Sequence, residues 1–275
     1  MAAVRALTYP LRLGDGVTRV LEVGAEDAPC VLFLHGVGAR ADRWARNLEA
    51  IAASGLRAVA VDLPGHGLAS KGAGLSYTAD GVAHDLAELL GSEGQARVRA
   101  VGTSLGALIA MRLALLRPEL VSHLVLVGSL GLEPLTDEQK RAMAASVVNT
   151  SREGIAAKLT RVLADPALIT PEWVAEEWRI NNSPGAAASL AAWAAYIQTS
   201  INGDVSLAAI GDLGIPVRLV WGSEDRVVPL AVGQRAARVL NKAELKIIEG
   251  AGHVPYLERP ASFHSAVTGF LTSGS

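Results

Sequence analysis

Short runs of consecutive apolar residues alternate with segments of helical period along most of the chain. Seven runs rich in Val, Leu and Ile are predicted as strands: 17–23, 29–34, 56–61, 96–101, 121–127, 216–221 and 243–248. Between them the apolar residues recur with the period of a helix, at 41–53, 79–90, 105–116, 231–240 and 261–271. Because the strands are apolar on both faces, the pattern predicts an α/β fold in which helices cover both sides of a parallel sheet.

The alternation stops after Gly131 and returns near residue 207. From 132 to 206 only helical periods occur, and they are interrupted at Pro166, Pro171 and Pro184. We therefore predict a core domain formed by residues 1–131 and 207–275, with a helical cap formed by residues 132–206.

Composition narrows the class of protein. Half of the 275 residues are hydrophobic, 19% are charged and the formal net charge is −2. These values argue against a disordered chain and against a surface that attracts nucleic acid or an anionic membrane. The single cysteine, Cys30, lies in an apolar run and is predicted to be a buried, inert thiol. The residues indicate no metal site of the Cys/His type.

The N-terminal residues do not resemble a secretory signal, because Arg5, Arg12 and Asp15 interrupt every apolar stretch there. No other apolar run approaches the length that spans a membrane. We expect a cytoplasmic protein.

The strongest chemical signal is Gly-Thr-Ser-Leu-Gly at 102–106, between a predicted strand and a predicted helix. Glycines permit the tight turn that raises a serine hydroxyl above the edge of a sheet, as in a nucleophile elbow. We predict that Ser104 is a catalytic nucleophile. The alternative is a serine that only caps the helix.

A serine hydroxyl needs a base that takes its proton. His253 lies in a glycine-rich loop after the last predicted strand, which can return an imidazole to the sheet edge. His123 falls within a strand and His264 within the last helix, so both are expected to be core or surface residues, and His84 lies on a helix early in the chain. We predict that His253 is the base.

The base in turn needs an acid that orients it. Asp225 follows the strand that precedes His253, in the segment Trp-Gly-Ser-Glu-Asp-Arg, and its neighbour Glu224 is the alternative. The end of the earlier strand 121–127 offers no carboxylate. We favour Asp225 as the acid. The three residues then follow one another along the chain in the order Ser, Asp, His, which is the order expected for an α/β fold with a nucleophile elbow.

The reaction also needs donors for a developing oxyanion. We expect the backbone N–H groups of Val37 and Leu105 to form this oxyanion hole, the first from the glycine-flanked loop at 35–38. His35, Asp62 and His66 are expected to brace the loops around it.

These segments together resemble the α/β-hydrolase superfamily. In order along the chain they read HGVG, DLPGHG, GTSLG, WGSEDRVVP and GAGHVPYLERP. The resemblance implies an eight-stranded, mostly parallel sheet, a helical cap inserted after strand six, and no cofactor.

Within that superfamily the chain is similar to cofactor-free bacterial members: carbon–carbon bond hydrolases, enol-lactone hydrolases and small carboxylesterases. The stretch 176–185 is similar to the cap of the carbon–carbon hydrolases, where an arginine binds a substrate carboxylate. The resemblance therefore implies that role for Arg179, and an ion pair with Glu176 or Glu177 is the alternative. Trp178 and Trp193 are candidate substrate contacts, together with Trp173 and Tyr196, unless they only pack the cap.

These observations predict a serine hydrolase that cleaves a small carboxylic ester, a lactone or an activated carbon–carbon bond through an acyl-enzyme on Ser104. The expected partner is a small-molecule substrate, and we expect no binding to nucleic acid, to a membrane or to a metal. A homodimer is a further possibility for the oligomeric state. One alternative is a cofactor-free oxygenase, perhydrolase or lyase with the same triad. The other is a ligand receptor on the same fold.

Overall fold

The computed structural model of the protein describes residues 6–95, 97–240 and 243–274. Ala96, which was expected to begin a strand, lies outside these ranges. So do residues 1–5, which belong to the segment searched for a secretory signal.

An eight-stranded sheet forms the centre of the molecule. Its strands are β1 (Leu7–Leu13), β2 (Gly16–Val23), β3 (Cys30–Leu34), β4 (Arg57–Val61), β5 (Val98–Thr103), β6 (Val121–Val127), β7 (Val217–Gly222) and β8 (Glu244–Ile248). Across the sheet their order is β1-β2-β4-β3-β5-β6-β7-β8. β2 pairs antiparallel with both β1 and β4, and the other neighbours pair parallel. The prediction of a mostly parallel, eight-stranded sheet is confirmed.

Helices cover both faces of this sheet. They are α1 (Ala45–Ala52), α2 (Ala79–Ser92), α3 (Leu105–Leu116), α4 (Asp137–Val148), α5 (Arg152–Val162), α6 (Pro171–Asn181), α7 (Ala186–Thr199), α8 (Leu207–Leu213), α9 (Leu230–Val239), α10 (Pro255–Glu258) and α11 (Pro260–Leu271). Each face of the sheet has its own apolar core, one centred on α2 and α3 and the other on α1 and α11. Every residue of β3 and β5 is buried, since these strands lie at the centre of the sheet.

The insertion after β6 is helical, as predicted. Residues 132–206 are all described, and they contain α4 to α7 and short 3₁₀ turns but no strand. Side chains cap the first turns of α4, α5 and α6, where Thr136, Ser151 and Thr170 each accept a backbone N–H bond. The division into two domains at residues 131 and 207 stays a prediction.

The strand β1 was not among the seven segments predicted from the apolar pattern. Four of its seven residues are exposed, and Pro10 lies in its middle. Such a strand fits only at an edge of a sheet, where one side has no neighbour to bond.

Among the described residues no helix is both long enough and apolar enough to cross a membrane. The cytoplasmic location stays a prediction. The thiol of Cys30 is buried, and burial raises its pKa to about 12.

Candidate active site

Ser104 lies on the sharp turn between β5 and α3. Its backbone has φ 54° and ψ −116°, and it is the one described residue other than glycine with a positive φ. Such a conformation is costly for a residue with a Cβ, and it persists where the surrounding structure imposes it. The turn is fixed by a hydrogen bond of 3.0 Å from the Ser104 N–H to the carbonyl of Val127.

Gly106 explains why this turn needs glycine. A Cβ at this position would lie 2.3 Å from the carbonyl oxygen of Leu34, a backbone atom of β3 that cannot move aside. Glycine therefore lets the first turn of α3 pack directly on the neighbouring strand. The N-terminus of α3, with its unpaired N–H groups, begins beside Ser104.

His253 and Asp225 are brought together by the loops that follow β8 and β7. The Nδ1 atom of His253 lies 2.8 Å from Oδ2 of Asp225, and both side chains are buried. The other carboxylate oxygen accepts the N–H groups of Val227 and Val228 at 2.8 and 2.9 Å. Since a carboxylate only accepts, Nδ1 donates to Asp225, and Nε2 remains for another partner.

The alternative acid is placed elsewhere. Glu224 is exposed and pairs with Arg226 at 3.6 Å. Consecutive residues on this loop point to different sides, so only Asp225 contacts the imidazole.

Ser104 and His253 line the same cavity, which has a volume of about 270 Å³. The core lines it with the loop at 36–39 and with residues of the loops that follow β7 and β8, and α4, α5 and α6 of the cap line the opposite part, with Trp173 among their residues. Most of the surface is apolar side chain, such as Leu159 and Val254. The space is the size of a small organic molecule.

Of the two expected oxyanion donors, one lines the cavity and the other follows the serine directly. Val37 lines the cavity, and Leu105 is the first residue of α3. Within the described ranges, the N–H of neither residue donates to another backbone or side-chain group. Neither N–H therefore has a competing partner among the described residues, as an oxyanion donor requires.

The loop that carries Val37 is braced from below, as expected. His35 is fully buried, and its Nε2 accepts the N–H of Leu63 at 2.9 Å. Burial lowers the pKa of His35, so the imidazole stays neutral and can accept this bond.

Asp62 accepts the N–H of Ala41 at 2.7 Å and binds Arg19. His66 is also buried, with Nδ1 3.1 Å from the Pro64 carbonyl.

The loop that carries His253 is held by a buried carboxylate that the sequence did not reveal. Glu258 accepts the N–H of Gly252 at 2.7 Å and that of Ala164, two residues beyond the end of α5, also at 2.7 Å. The N–H of His253 donates to the carbonyl of Val162 at 2.8 Å. The histidine loop is thus tied directly to the cap.

A comparison with known families agrees with this geometry. The sequence profile of the family described as alpha/beta hydrolase fold matches residues 29–260. The chain belongs to this family. The match spans the elbow, the acid loop and the histidine loop, together with the cap between them.

Individual members of the alpha/beta hydrolase family resemble the chain over most of its length. The chain is 28% identical to a 2-hydroxy-6-oxononadienedioate/2-hydroxy-6-oxononatrienedioate hydrolase of Pseudomonas sp., covering 94% of this chain and 92% of that protein. It is also 28% identical to a putative 2-succinyl-6-hydroxy-2,4-cyclohexadiene-1-carboxylate synthase of Bacillus subtilis, over 97% and 99% of the two chains.

A solved structure shows the same fold. The 2-hydroxy-6-oxo-6-phenylhexa-2,4-dienoate hydrolase of Rhodococcus sp. strain RHA1 superposes with a TM-score of 0.86 at 22% identity, over 96% of this chain and 97% of that one. The predicted resemblance to carbon–carbon bond hydrolases is confirmed.

The three predicted substrate contacts lie away from the cavity of this alpha/beta hydrolase. Arg179 is exposed on α6 and is not among the residues that line the cavity. Trp178 is 38% exposed, with the guanidinium of Arg152 4.6 Å from its ring centre. Trp193 is fully buried, and its Nε1 donates to the Pro64 carbonyl at 2.9 Å. The structure does not bring them together with Ser104.

The glutamates proposed as ion-pair partners of Arg179 pair elsewhere. Glu176 binds Arg40, and Glu177 binds both Arg40 and Arg43.

Of the four aromatic residues considered as substrate contacts, only Trp173 lines the cavity. Lys158 and Arg43 also line it and were not predicted. Neither residue lies in a sequence motif, so the sequence alone did not indicate that their side chains face the cavity.

Proposed function

We propose that this protein is a serine hydrolase that cleaves a small carboxylic ester, a lactone or an activated carbon–carbon bond through an acyl-enzyme on Ser104. One observation carries the proposal: a serine in a strained turn shares a cavity with a histidine that donates to a buried aspartate. This is the arrangement of a nucleophile, its base and the acid that orients the base.

The proposed reaction uses each group in turn. Nε2 of His253 takes the proton of the Ser104 hydroxyl while the oxygen attacks a carbonyl carbon. Asp225 holds the imidazole by its Nδ1–H and stabilises the imidazolium that forms. The N–H groups of Val37 and Leu105 bind the oxyanion.

Collapse of the tetrahedral intermediate breaks the bond to an alcohol or carbon leaving group, to which His253 returns the proton. In the second half His253 activates a water molecule, which releases the acid and regenerates the hydroxyl.

The relative from Pseudomonas supports a substrate of the dienoate type, because that protein is named as a hydrolase of 2-hydroxy-6-oxononadienedioate. The apolar walls and modest volume of the cavity fit a small substrate of this kind. We therefore favour an activated carbon–carbon bond or a small ester.

The test is turnover of p-nitrophenyl butyrate by Ser104→Ala. Removal of the nucleophile should lower kcat by at least about 10⁴-fold, as expected when one member of a triad is lost. Ser146→Ala, which removes a different hydroxyl from the wall of the same cavity, is the matched control and should stay within about twofold. A Ser104→Ala protein that retains its rate would exclude this serine as the nucleophile.

A second candidate is a non-hydrolytic reaction on the same triad, because the relative from Bacillus subtilis is named as a putative synthase. Turnover in ¹⁸O-labelled water distinguishes hydrolysis from a non-hydrolytic reaction. A hydrolase places one labelled oxygen in the acid product, whereas a lyase leaves the product unlabelled.

A further inference from the structure

The cavity beside Ser104 has an excess of positive charge. Of the described residues that line it, four are cations, namely Arg43, Lys158, Arg161 and Arg226, and none is Asp or Glu. An otherwise apolar cavity of this charge favours an anionic ligand over a neutral one.

Two of these cations already have carboxylate or aromatic partners on the protein, and a third is exposed to solvent. Arg43 binds Glu177 and stacks over Trp173, with its guanidinium carbon 4.2 Å from the ring centre. Arg226 pairs with Glu224 in solvent. Arg161 is exposed, and its Nη2 donates to the hydroxyl of Ser146 at 2.6 Å.

Lys158 differs from Arg43 and Arg226 in having no carboxylate partner among the described residues, and from Arg161 in being half-buried. It projects from the cap helix α5 and is half-buried, and its Nζ donates to the carbonyl of Gly38 at 3.2 Å. In the described parts of the chain no carboxylate forms an ion pair with it. An ammonium group has three donors, so Lys158 retains donors for a further acceptor.

Its position places the charge beside the loop that carries the proposed oxyanion donor. Gly38 follows Val37, the proposed oxyanion donor, and a Cβ on Gly38 would lie 3.0 Å from Nζ of Lys158. Gly38 and Lys158 both line the cavity that contains Ser104.

The protein groups around Lys158 disfavour its charge. Burial lowers its pKa, Glu177 opposes that effect, and the positive charges of Arg43 and Arg161 lower the pKa further. A carboxylate placed beside Nζ would reverse this balance, because an opposite charge at short range stabilises the ammonium form.

We propose that Lys158 is the specificity-determining residue of this site and binds a carboxylate on the substrate, beside the oxyanion loop. The proposal rests on the proposed function for the identity of the reaction. It assigns the role to a lysine of α5 rather than to Arg179 of α6.

Matched pairs of esters test this proposal. One pair carries the charge on the acyl side, p-nitrophenyl hemisuccinate against p-nitrophenyl butyrate. The other carries it on the leaving group, 4-carboxyphenyl butyrate against phenyl butyrate. In Lys158→Met, kcat/KM for at least one carboxylated ester should fall by about 10- to 100-fold, the range for loss of a charge-assisted hydrogen bond. Most of the loss should lie in KM, and the neutral esters should change by no more than about threefold.

Two variants sharpen the result. Lys158→Arg keeps the charge and should restore most of the preference for the carboxylated ester. Arg161→Met removes a cation one turn further along the same helix and should leave the preference in place. Equal losses of kcat/KM for charged and neutral esters would mean that Lys158 only braces Gly38. Equal effects of Lys158→Met and Arg161→Met on the preference would mean that the overall positive charge of the cavity, and not Lys158 itself, favours the carboxylated ester. Either result overturns the proposal.

Binding without turnover separates this proposal from the proposed function. Calorimetry of Ser104→Ala with monomethyl succinate should show binding that is lost in the Ser104→Ala, Lys158→Met double variant. If wild-type protein hydrolyses no ester but this difference persists, the anion site stands and the hydrolase assignment fails. If esters are hydrolysed and the difference is absent, the anion site fails.

Discussion

Gly128 directly follows β6 and lies against the pair formed by His253 and Asp225. Its φ is +48°, and a Cβ would lie 2.9 Å from Nδ1 of His253 and 3.0 Å from Oδ2 of Asp225. The absence of a side chain therefore leaves the space in which imidazole and carboxylate meet. In the sequence this residue stood out only because the end of its strand lacks a carboxylate.

We expect Gly128→Ala to lower kcat for p-nitrophenyl butyrate by about 10²-fold, since displacement of a catalytic group by about 1 Å costs that much. The added methyl cannot be accommodated without moving His253 or Asp225. Gly269→Ala is the control, because a Cβ there meets nothing within 4 Å and the residue lies within α11. It should keep full activity and a melting temperature no lower than that of wild type. Unchanged kcat in Gly128→Ala would contradict the role given to this space.

At the scale of single residues, the sequence predicted those candidate catalytic residues that lie in recognisable loops at strand ends. Ser104 and His253 lie in glycine-rich loops at strand ends, and such loops can be read directly. Asp225 and Glu224 are adjacent, yet the strand-end pattern favoured Asp225, and it is the one that contacts His253. Arg179 and Lys158 lie on different helices of the cap, and which of them faces the cavity depends on how those helices pack. No local pattern contains that information.

At the scale of elements, a buried polar group on β2 joins the edge strand β1 to β2 and, beyond it, to β4. Glu22 on β2 receives hydrogen bonds from Tyr9 on β1 and from Arg57 on β4, the latter pairing at 2.7 Å. Glu22 is 5% exposed and Arg57 8% exposed. β1 was missed because its attachment depends on this cross-strand contact and on backbone pairing, whereas its own residues show little apolar pattern.

The free energy of unfolding should depend on pH through Glu22. Burial alone would raise its pKa, but the bonds from Arg57 and Tyr9 outweigh burial, and its pKa lies below the ordinary value. The folded protein therefore binds fewer protons at this site than the unfolded chain. The stabilisation is fully present above the unfolded pKa of about 4.3 and is lost as the pH falls through the lower folded value.

Glu22→Gln should accordingly cost about 3 kcal/mol at pH 7, the lower end of the range for breaking a buried ion pair. The difference from wild type, measured by urea unfolding at several pH values, should shrink below pH of about 4. Glu244→Gln on β8 is the control, because its side chain is 53% exposed where it pairs with Lys246 and Arg218. A constant difference between wild type and Glu22→Gln at all pH values would show that the charge of Glu22 contributes nothing.

At the scale of the whole molecule, a cluster of ion pairs joins the cap to the sheet. Arg40 and Arg43, in and just after the loop that follows β3, bind Glu176 and Glu177 on α6. On the side of the sheet, Asp42 binds Arg40 at 2.7 Å and also binds Arg19 on β2. Since Arg43 stacks on Trp173 in the cavity wall, the same cluster also positions that wall.

The two halves of this cluster are more than 130 residues apart along the chain. The sequence predicted the helical cap itself, since its helices follow from local period and from capping residues. It could not predict the docking of the cap, because Glu176 and Glu177 read equally well as a solvated face of α6. Only the packed arrangement shows that Glu177 is buried and Glu176 is not.

That difference makes the adjacent glutamates a matched pair for the last prediction. The side chain of Glu177 is 3% exposed and that of Glu176 is 58% exposed, although both bind Arg40. Glu177→Gln leaves Arg40 and Arg43 without a buried counter-charge and should lower the free energy of unfolding by about 3 kcal/mol. Glu176→Gln, whose pair is solvated, should lower it by less than about 1 kcal/mol.

Urea unfolding followed by circular dichroism measures both variants, and KM for p-nitrophenyl butyrate reports on the cavity wall. KM should rise in Glu177→Gln alone, because only Glu177 holds Arg43 against Trp173. Equal losses of stability in the two variants would mean that burial does not set the strength of these pairs. A loss of stability in Glu177→Gln with unchanged KM would mean that the cluster fastens the cap without shaping the cavity.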